Sequence, residues 1–578
     1  VLSGRGKLHA VQGRVKPCYT AAMLPRLGTV VLLLVVASCS SKSQGKTQPP
    51  KAPDNAFTIF LSSEIKGQIE PCGCTSDPLG DIARTAALVA DARANDAVLY
   101  LDGGSLLFSA KELAEDMKIQ ERMKADLLLN VFRDDLNAAA VGLGPHDLAL
   151  GIDAVKLPRQ AANVPSTAGL PIEAPKLLTA GGVNVGVFGV VAPGLVAPFG
   201  VEASDPTAAA KAAVADLRKR GAQVVVGLLH MEKIAADAIA REVDGLDFGL
   251  VGAALPDQED MLTVEPWRQG DTWLFAPIDR GQIISRLDVQ FDGGAPFVNA
   301  IGKSGASAIV ERLDAAITRI EADLERFRAD TSASPAFLAT QQAERDRLVA
   351  ERDGLRANPL QRPDKGSWFT LSQVKIAKQL SCDSDIVSAK VAYDSAVGKA
   401  NLAASKGKPI PEPAAGQAGF AGIEECEFCH EEAVVFWRKT KHAGAWETLE
   451  KGGKQFDLEC VKCHVTGYGM PGGSSLANND ALRDVQCEVC HQAASIHVDQ
   501  NGGRKDTLVR TTPKDTCVTC HNELHSDTFD YEAYLRDVTG PGHGEEFRKQ
   551  LGDGPTGLEL RSAALKKAGA GVGEGCPK

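Results

Sequence analysis

Positive charge is in the minority in this sequence: 63 Lys and Arg stand against 74 Asp and Glu, a formal net charge of −11. Nucleic acid is argued against as a partner, because a polyphosphate backbone is met by clustered cations. Long apolar runs are lacking too. The one inside "MLPRLGTVVLLLVVASC", residues 23–39, is far too short to span a bilayer. Histidine is sparse, 11 in 578 residues, and only His9, His146 and His230 lie outside the last third. The rest of the composition, 44% hydrophobic and 24% charged, is that of an ordinary globular chain long enough for several domains.

The last third holds one pentad four times: "CEFCH" at 426–430, "CVKCH" at 460–464, "CEVCH" at 487–491 and "CVTCH" at 517–521. Random shuffling of this composition would give on the order of 0.01 such pentads, so the four copies share a cause. Half a zinc site, a redox pair and a c-type haem seat are the three readings of the pattern. Zinc takes four ligands in a closed tetrahedron and has no use for a His directly after every second Cys. A c-type haem needs two thiols to add across its vinyl groups and an imidazole at the next position to reach the iron. Each pentad is therefore a complete half-site: Cys426, Cys429 and His430; Cys460, Cys463 and His464; Cys487, Cys490 and His491; Cys517, Cys520 and His521. The same region supplies four further histidines, His442, His497, His525 and His543. Four irons with two axial positions each need eight imidazoles, and eight are there. The expected cofactor is four covalently bound haem c. So many porphyrins in so short a span must supply most of its buried apolar surface and stack close together.

Covalent haem attachment requires export, and residues 1–38 read as a signal peptide whose natural start is Met23, with Arg26 ahead of the apolar run. Its ending "VASC" resembles the bacterial lipobox, which implies lipidation at Cys39; a plain secretory signal with an incidental Cys is the other reading. A polar tether follows over 39–56, beginning "SSKSQGKTQPPKAPDN". Ser40 and Ser41 after the Cys resemble the outer-membrane sorting pattern of a Gram-negative cell. The expected location is the cell envelope, as an outer-membrane lipoprotein facing the periplasm or the cell surface.

From 57 to 300, "FTIFLSS", "AVLYLDGG", "LNAAAVGLG", "VNVGVFGVV", "AQVVVGLLH", "LDFGLVGA" and "TWLFAPI" read as buried strands, with "DIARTAALVADARAN" and "DPTAAAKAAVADLRKRG" as helices between them. The spacing predicts an α/β layered domain. Leu313, Ile317, Ile320, Leu324 and Phe327 then follow a 4-3-4 spacing, and "SASPAF" opens a second charged helix to about 356 with Pro335 in its first turn. These predict an antiparallel helical hairpin over 301–360, either a structural arm or a dimerisation element. A strand, a helix and the Pro/Gly linker "KGKPIPEPAAGQAGFAG" fill 361–420, a mostly α and irregular tetrahaem domain occupies 421–545, and 546–578 is a tail.

The order of the α/β elements resembles the metallophosphoesterases of the periplasmic 5′-nucleotidase family over residues 57–300. In that family the strand ends hold two metals through D-x-H, G-D, G-N-H-[DE], a lone His and G-H-x-H. Here "SEIKG" places Glu64 and Lys66 at the first pair, "LDGGS" places Ser105 at the bridging Asp, and "GPHD" places Pro145 at the Asn while keeping His146. "GLLH" keeps His230, and "LVGAAL" places Ala253 and Leu255 at the terminal histidines. One His and one Glu with an ammonium beside them cannot hold two hard divalent cations. The resemblance therefore implies a degenerate, non-catalytic domain. His146 and His230 read as leftover or hydrogen-bonded core histidines. "EPCGCTSDPLG", 70–80, is similar to a segment of 5′-nucleotidase-like lipoproteins. It leaves two readings for Cys72 and Cys74, a redox pair or two structural cysteines bridged elsewhere, to Cys382 or Cys576.

Residues 421–545 resemble the multihaem cytochrome c-552/4 (c-554-like) family in "CEFCHEEAVVFWRKTKHAGAWETL", "CVKCHVTGYG", "VQCEVCHQAASIHV" and "CVTCHNELHSDTFDYEAY". The resemblance implies that His442 ligates a haem from its distal side and that His497 occupies another such position. His525, four residues after His521, would share its helical face and so serve only a neighbouring haem, and His543 sits in the glycine-rich "TGPGHGE". Bis-imidazole ligation suits electron transfer. The expected function is an exported, lipid-anchored electron carrier with redox proteins as partners and a non-catalytic phosphoesterase-like platform. Two other classes stay open. One is an enzyme, either a haem oxidoreductase acting on a small nitrogen compound or a surviving phosphohydrolase; the other is a docking lipoprotein.

Overall fold

In the computed structural model the described residues are 54–71, 75–253, 265–277, 279–294, 296–329, 334–522, 525–571 and 575–577. Cys39 with the signal and most of the tether, Cys72, Cys74 and Leu255 lie outside them.

Two six-stranded sheets are found among the described residues. In spatial order the first runs Val298–Asn299, Trp368–Lys375, Ile283–Gln290, Ala56–Ser62, Val98–Asp102 and Ala140–Val141. The second runs Trp267–Gln269, Thr272–Phe275, Phe248–Gly252, Val224–His230, Val183–Val191 and Lys176–Ala180. Alternation sets the layers. Phe57, Ile59 and Leu61 face one way, into a core shared with Val185, Val187, Val226 and Leu250 of the other sheet. Phe60, Tyr100 and Ile284 face the other way, onto helices Ile82–Arg93, Lys118–Asn130 and Ser384–Ser405. Val190, Val225 and Leu229 of the second sheet are covered by helices Pro206–Lys219 and Lys233–Glu242. The result is a layered α/β/β/α sandwich, and all seven strands read from the sequence are present in it.

The α/β layers take in more of the chain than residues 57–300. Strand Trp368–Lys375 pairs antiparallel with Ile283–Gln290, from Gln290 opposite Trp368 to Ile283 opposite Lys375. Burial drives the insertion: Phe369 is fully buried and its ring lies 5.5 Å from those of Phe248 and Phe275. The hairpin Lys303–Ala329 and Pro335–Ala357 thus leaves the sheet and returns to it. Leu313, Ile317, Leu348 and Leu355 fill its seam, and the Ser334 hydroxyl accepts the Phe337 N–H at 3.1 Å to cap the second helix.

The reading in which Cys72 or Cys74 bridges to Cys382 or Cys576 does not hold, because those two bond to each other. Beyond 420 the chain forms short helices in irregular connections, among them Ile423–Trp437, Ala445–Gly452, Leu458–His464, Cys487–His491 and Tyr531–Val538. Its aliphatic core is small: Trp446, Leu449, Leu458, Val461, Val465 and Leu476, joined by Met117 from the α/β layers. Among the described residues no helix is long and apolar enough to cross a membrane.

Candidate functional site

Each pentad sits on or at the end of a helical turn, which brings residues i, i+3 and i+4 to one face. Cys460, Cys463 and His464 close the helix Leu458–His464, whose first turn is capped by Asp457 accepting the Glu459 N–H at 2.9 Å. Cys487–His491 is itself a helix. After Lys514–Val518, the Cys520 and His521 N–H groups both donate to the Cys517 carbonyl, at 3.1 and 2.8 Å, and continue the turn. The first motif lies inside Ile423–Trp437 with a break at His430, at φ −125° and ψ 39°. Its Phe428 is 94% exposed. None of the eight motif cysteines is disulfide-bonded.

Haem fits these side chains on one test: which ring nitrogen each histidine turns to the surrounding protein. His464 Nδ1–H donates to the Ala445 carbonyl at 2.5 Å and His491 Nδ1–H to the Val509 carbonyl at 2.7 Å. A carbonyl only accepts, so the Nδ1 proton is fixed and Nε2 keeps the lone pair an iron would take. His497 is held the same way by the Arg504 carbonyl at 2.8 Å. His521 Nδ1 lies 3.2 Å from Ser526 Oγ, and its ring stacks on Phe529 at 5.3 Å.

The candidate distal histidines differ in what they approach. The His442 ring lies 6.2 Å from that of His521. Burial, then His521 and His464, push its pKa down to about 4. His543 lies 6.1 Å from the Phe436 ring, and its pKa is lowered by burial, against the Gly540 backbone, with His491 adding to the fall. His525 is not on one helical face with His521, since the helix ends at Val518; its N–H donates to the Asn522 carbonyl at 3.0 Å. Across motifs, Cys426 and Cys487 lie close enough to perturb one another's thiols, and Cys463 lies close enough to lower that of Cys520. The first motif is thus gathered to the third and the second to the fourth.

The sequence reading missed Glu488. Buried between Cys487 and Cys490, its carboxylate accepts the N–H groups of Ala421, Gly422 and Ala494, at 2.9, 2.8 and 2.8 Å. A lone Glu between two cysteines gives no sign of that work, because its partners are backbone.

The positions expected to have lost their metal ligands converge at the carboxyl ends of strands from both sheets, where open α/β folds place their sites. Lys66 Nζ lies 3.3 Å from Glu64 Oε2. His230 Nδ1–H donates to the Gly103 carbonyl at 2.8 Å, and its Nε2 faces Ser105 Oγ at 3.3 Å and Glu64 Oε1 at 3.4 Å. His146 Nδ1 is bound to the Phe108 carbonyl at 3.0 Å. Asp147 accepts the N–H groups of Ser105, Leu106 and Gly144 and pairs with the fully buried Arg159 at 3.1 Å. Glu64, Lys66, Ser105 and Ala253 all have positive φ, between 49° and 58°, which costs a residue with a Cβ about 1–2 kcal/mol each. The loops are closed tightly: a Cβ on Gly144 would lie 2.3 Å from Ser105 Oγ and 2.5 Å from the His230 ring. Among the described residues no three His, Cys, Asp or Glu side chains are grouped to hold a metal ion. Two divalent cations do not fit this arrangement.

Residues 425–492 match the family model "Cytochrome c554 and c-prime". This segment is cytochrome c554-like. Cytochrome c-554 of Nitrosomonas europaea is 36% identical over 93 residues, 13% of this chain and 40% of the relative's length. The chain thus matches well under two thirds of that relative. Similar solved structures include a 5′-nucleotidase precursor from Thermus thermophilus, 17% identical with TM-score 0.39, covering 69% of this chain and 68% of the other. Another is a Thermus thermophilus sulfate thiohydrolase, 15% identical with TM-score 0.39, over 60% and 61%. The reduced state of cytochrome c554 from Nitrosomonas europaea is 27% identical with TM-score 0.15, over 18% and 65%.

Proposed function

We propose that this chain is an exported, lipid-anchored multihaem c-type cytochrome that carries electrons between redox proteins of the cell envelope. Its α/β layers serve as a non-catalytic platform. Four haem c groups would be held by Cys426 and Cys429, Cys460 and Cys463, Cys487 and Cys490, and Cys517 and Cys520. His430, His464, His491 and His521 would be the proximal ligands, and His442, His497, His525 and His543 are the distal candidates. When bound, haem c supplies a reversible one-electron couple. The chain's own residues supply thiols for attachment, imidazoles turned by backbone carbonyls, and the Phe529 and Tyr534 rings packed on His521.

The observation that carries this reading is the Cys-x-x-Cys-His spacing repeated four times, with none of its eight cysteines in a disulfide and the His464 and His491 imidazoles oriented by backbone carbonyls. That orientation would suit any metal-bound imidazole, and what favours haem over zinc is the His placed directly after every second Cys in all four motifs. The pairing of the first motif with the third and the second with the fourth supports short steps between centres. Attachment takes place outside the cytoplasm, which agrees with the signal and lipobox at Cys39 and with an outer-membrane address. The test is intact mass after acid–acetone extraction, which should retain about four haem masses of roughly 0.6 kDa each. Retention of two or fewer overturns the assignment.

A further inference from the structure

We infer that Lys124 of the α/β layers is a tuning residue for the haem on Cys460, Cys463 and His464, so that the platform sets a potential in the redox region. The inference rests on the haem-binding reading above. Helix Lys118–Asn130 belongs to the α/β layers, yet Gln120, Glu121 and Lys124 on it are buried against the second motif. Gln120 Oε1 accepts the Leu458 N–H at 3.0 Å and the Asn401 amide at 2.8 Å. Its Nε2 donates to Asp457 Oδ1 at 2.6 Å. Asp457 caps the haem-bearing helix, so the start of that helix is built on side chains from the other domain.

Lys124 Nζ stands 2.8 Å from Glu121 Oε1 and 2.8 Å from Glu459 Oε1, and Glu459 directly precedes Cys460. Burial disfavours the ammonium, but Glu459 and Glu121 outweigh it and hold the group charged. Two carboxylates and one ammonium taken from water are costly unless paired, and an apolar contact would have joined the domains more simply. What the ionic arrangement adds is fixed charge, one ammonium held against two carboxylates, in a poorly screened place next in sequence to Cys460, so that removing either sign alters the local field. Haem potential follows net charge and burial around the iron, and a cation favours the reduced form. The same ion group touches the loop of Glu64 and Lys66: Glu121 Oε2 accepts the Ser109 N–H at 2.9 Å, and Lys124 Cε lies 3.3 Å from where a Gly67 Cβ would stand.

The test is a spectroscopic redox titration of the full-length haem-loaded protein. Lys124→Gln should lower the midpoint of one haem, Glu459→Gln should raise the midpoint of that same haem, and Lys124→Arg should restore it. Lys118→Gln serves as the control, since Lys118 is half-exposed on the same helix and pairs only with Glu115 in solvent. Opposite shifts from the two halves of one ion pair are not produced by loosened packing, which would move both variants the same way. Glu459 is 40% exposed, so its variant carries the test if Lys124→Gln does not fold. Shifts no larger than the control's, or shifts of one sign in both variants, overturn the inference. Haem content by mass is measured on every sample, so a loss of haem in the parent counts against the cytochrome reading and not against Lys124.

Discussion

Cys382 and Cys576 are joined by a disulfide with their Cα atoms 6.0 Å apart, although 194 residues separate them in sequence. All four Cys-x-x-Cys-His motifs lie within the closed loop. The Cys576 N–H also donates to Asp81 Oδ2 at 3.2 Å, and that carboxylate takes the Lys390 ammonium at 2.8 Å. At the other end of the loop the Asp383 N–H donates to the Ala83 carbonyl at 3.1 Å. The haem region is therefore held to the first α/β helix at both of its chain connections.

Replacing both cysteines with alanine frees the unfolded chain of a long closed loop and should cost about 2–5 kcal/mol of stability. Denaturant unfolding of the oxidised parent and the double variant measures it. Coincident curves would mean that the bond contributes nothing.

Much of this was legible in the sequence, and what was not has a common cause. The seven strands announced themselves as short apolar runs, and the repeated pentads marked the segment that is cytochrome c554-like. Strand Trp368–Lys375 did not reveal its sheet, since its partner Ile283–Gln290 lies across the helical hairpin and pairing is not written in local periodicity. The Cys382 and Cys576 bond was one of several pairings the cysteine count allowed. The carbonyls of Ala445 and Val509 that orient His464 and His491 are backbone groups, which any residue could supply. Gln120 and Lys124 belong to no motif, and nothing local marks them as the residues the second motif covers.

Asp102 gives a pH dependence. Burial pushes its carboxyl up to about 7, opposed by hydrogen bonds from the Ser62 hydroxyl at 2.7 Å and the Gly104 N–H at 2.9 Å. In the unfolded chain it titrates near 4. Between those values the folded protein holds a proton that the unfolded chain has released, so stability falls as pH rises through the window and levels off above it. One such group contributes a slope of at most about 1.4 kcal/mol per pH unit. Asp102→Asn should remove this decline, so unfolding free energies of variant and parent should draw apart between about pH 4 and pH 7 in the variant's favour. A constant difference across that range would refute it.

The closed loops around His230 predict no metal-stimulated hydrolysis of nucleotides or p-nitrophenyl phosphate by the purified protein. Lys66 places an ammonium 3.3 Å from Glu64, and the neighbouring Pro145 and Ala253 offer no side-chain ligand. Manganese- or zinc-dependent phosphate release at about one turnover per second or faster would restore the phosphohydrolase reading.

Cys39→Ala should move the protein from the membrane fraction to the soluble fraction, because a short polar tether has no affinity of its own for lipid. Fractionation with immunodetection decides it. Unchanged partition would place the anchor elsewhere.

The histidine count itself can be tested at His442 and His525. His442 is close to two motif histidines, whereas His525 is hydrogen-bonded into the turn that follows the fourth motif. His442→Ala should convert one low-spin haem to a high-spin form that binds carbon monoxide and leave the others as they were. His442→Met should keep that iron six-coordinate and raise its potential. His525→Ala should have the same effect on one haem if the imidazole crosses to a neighbouring iron. Suppose instead that the parent already binds carbon monoxide at one haem and His525→Ala leaves its spectrum unchanged. Then eight imidazoles for eight positions is a coincidence, one iron is open, and chemistry on a small molecule at that iron displaces electron transfer as the leading account.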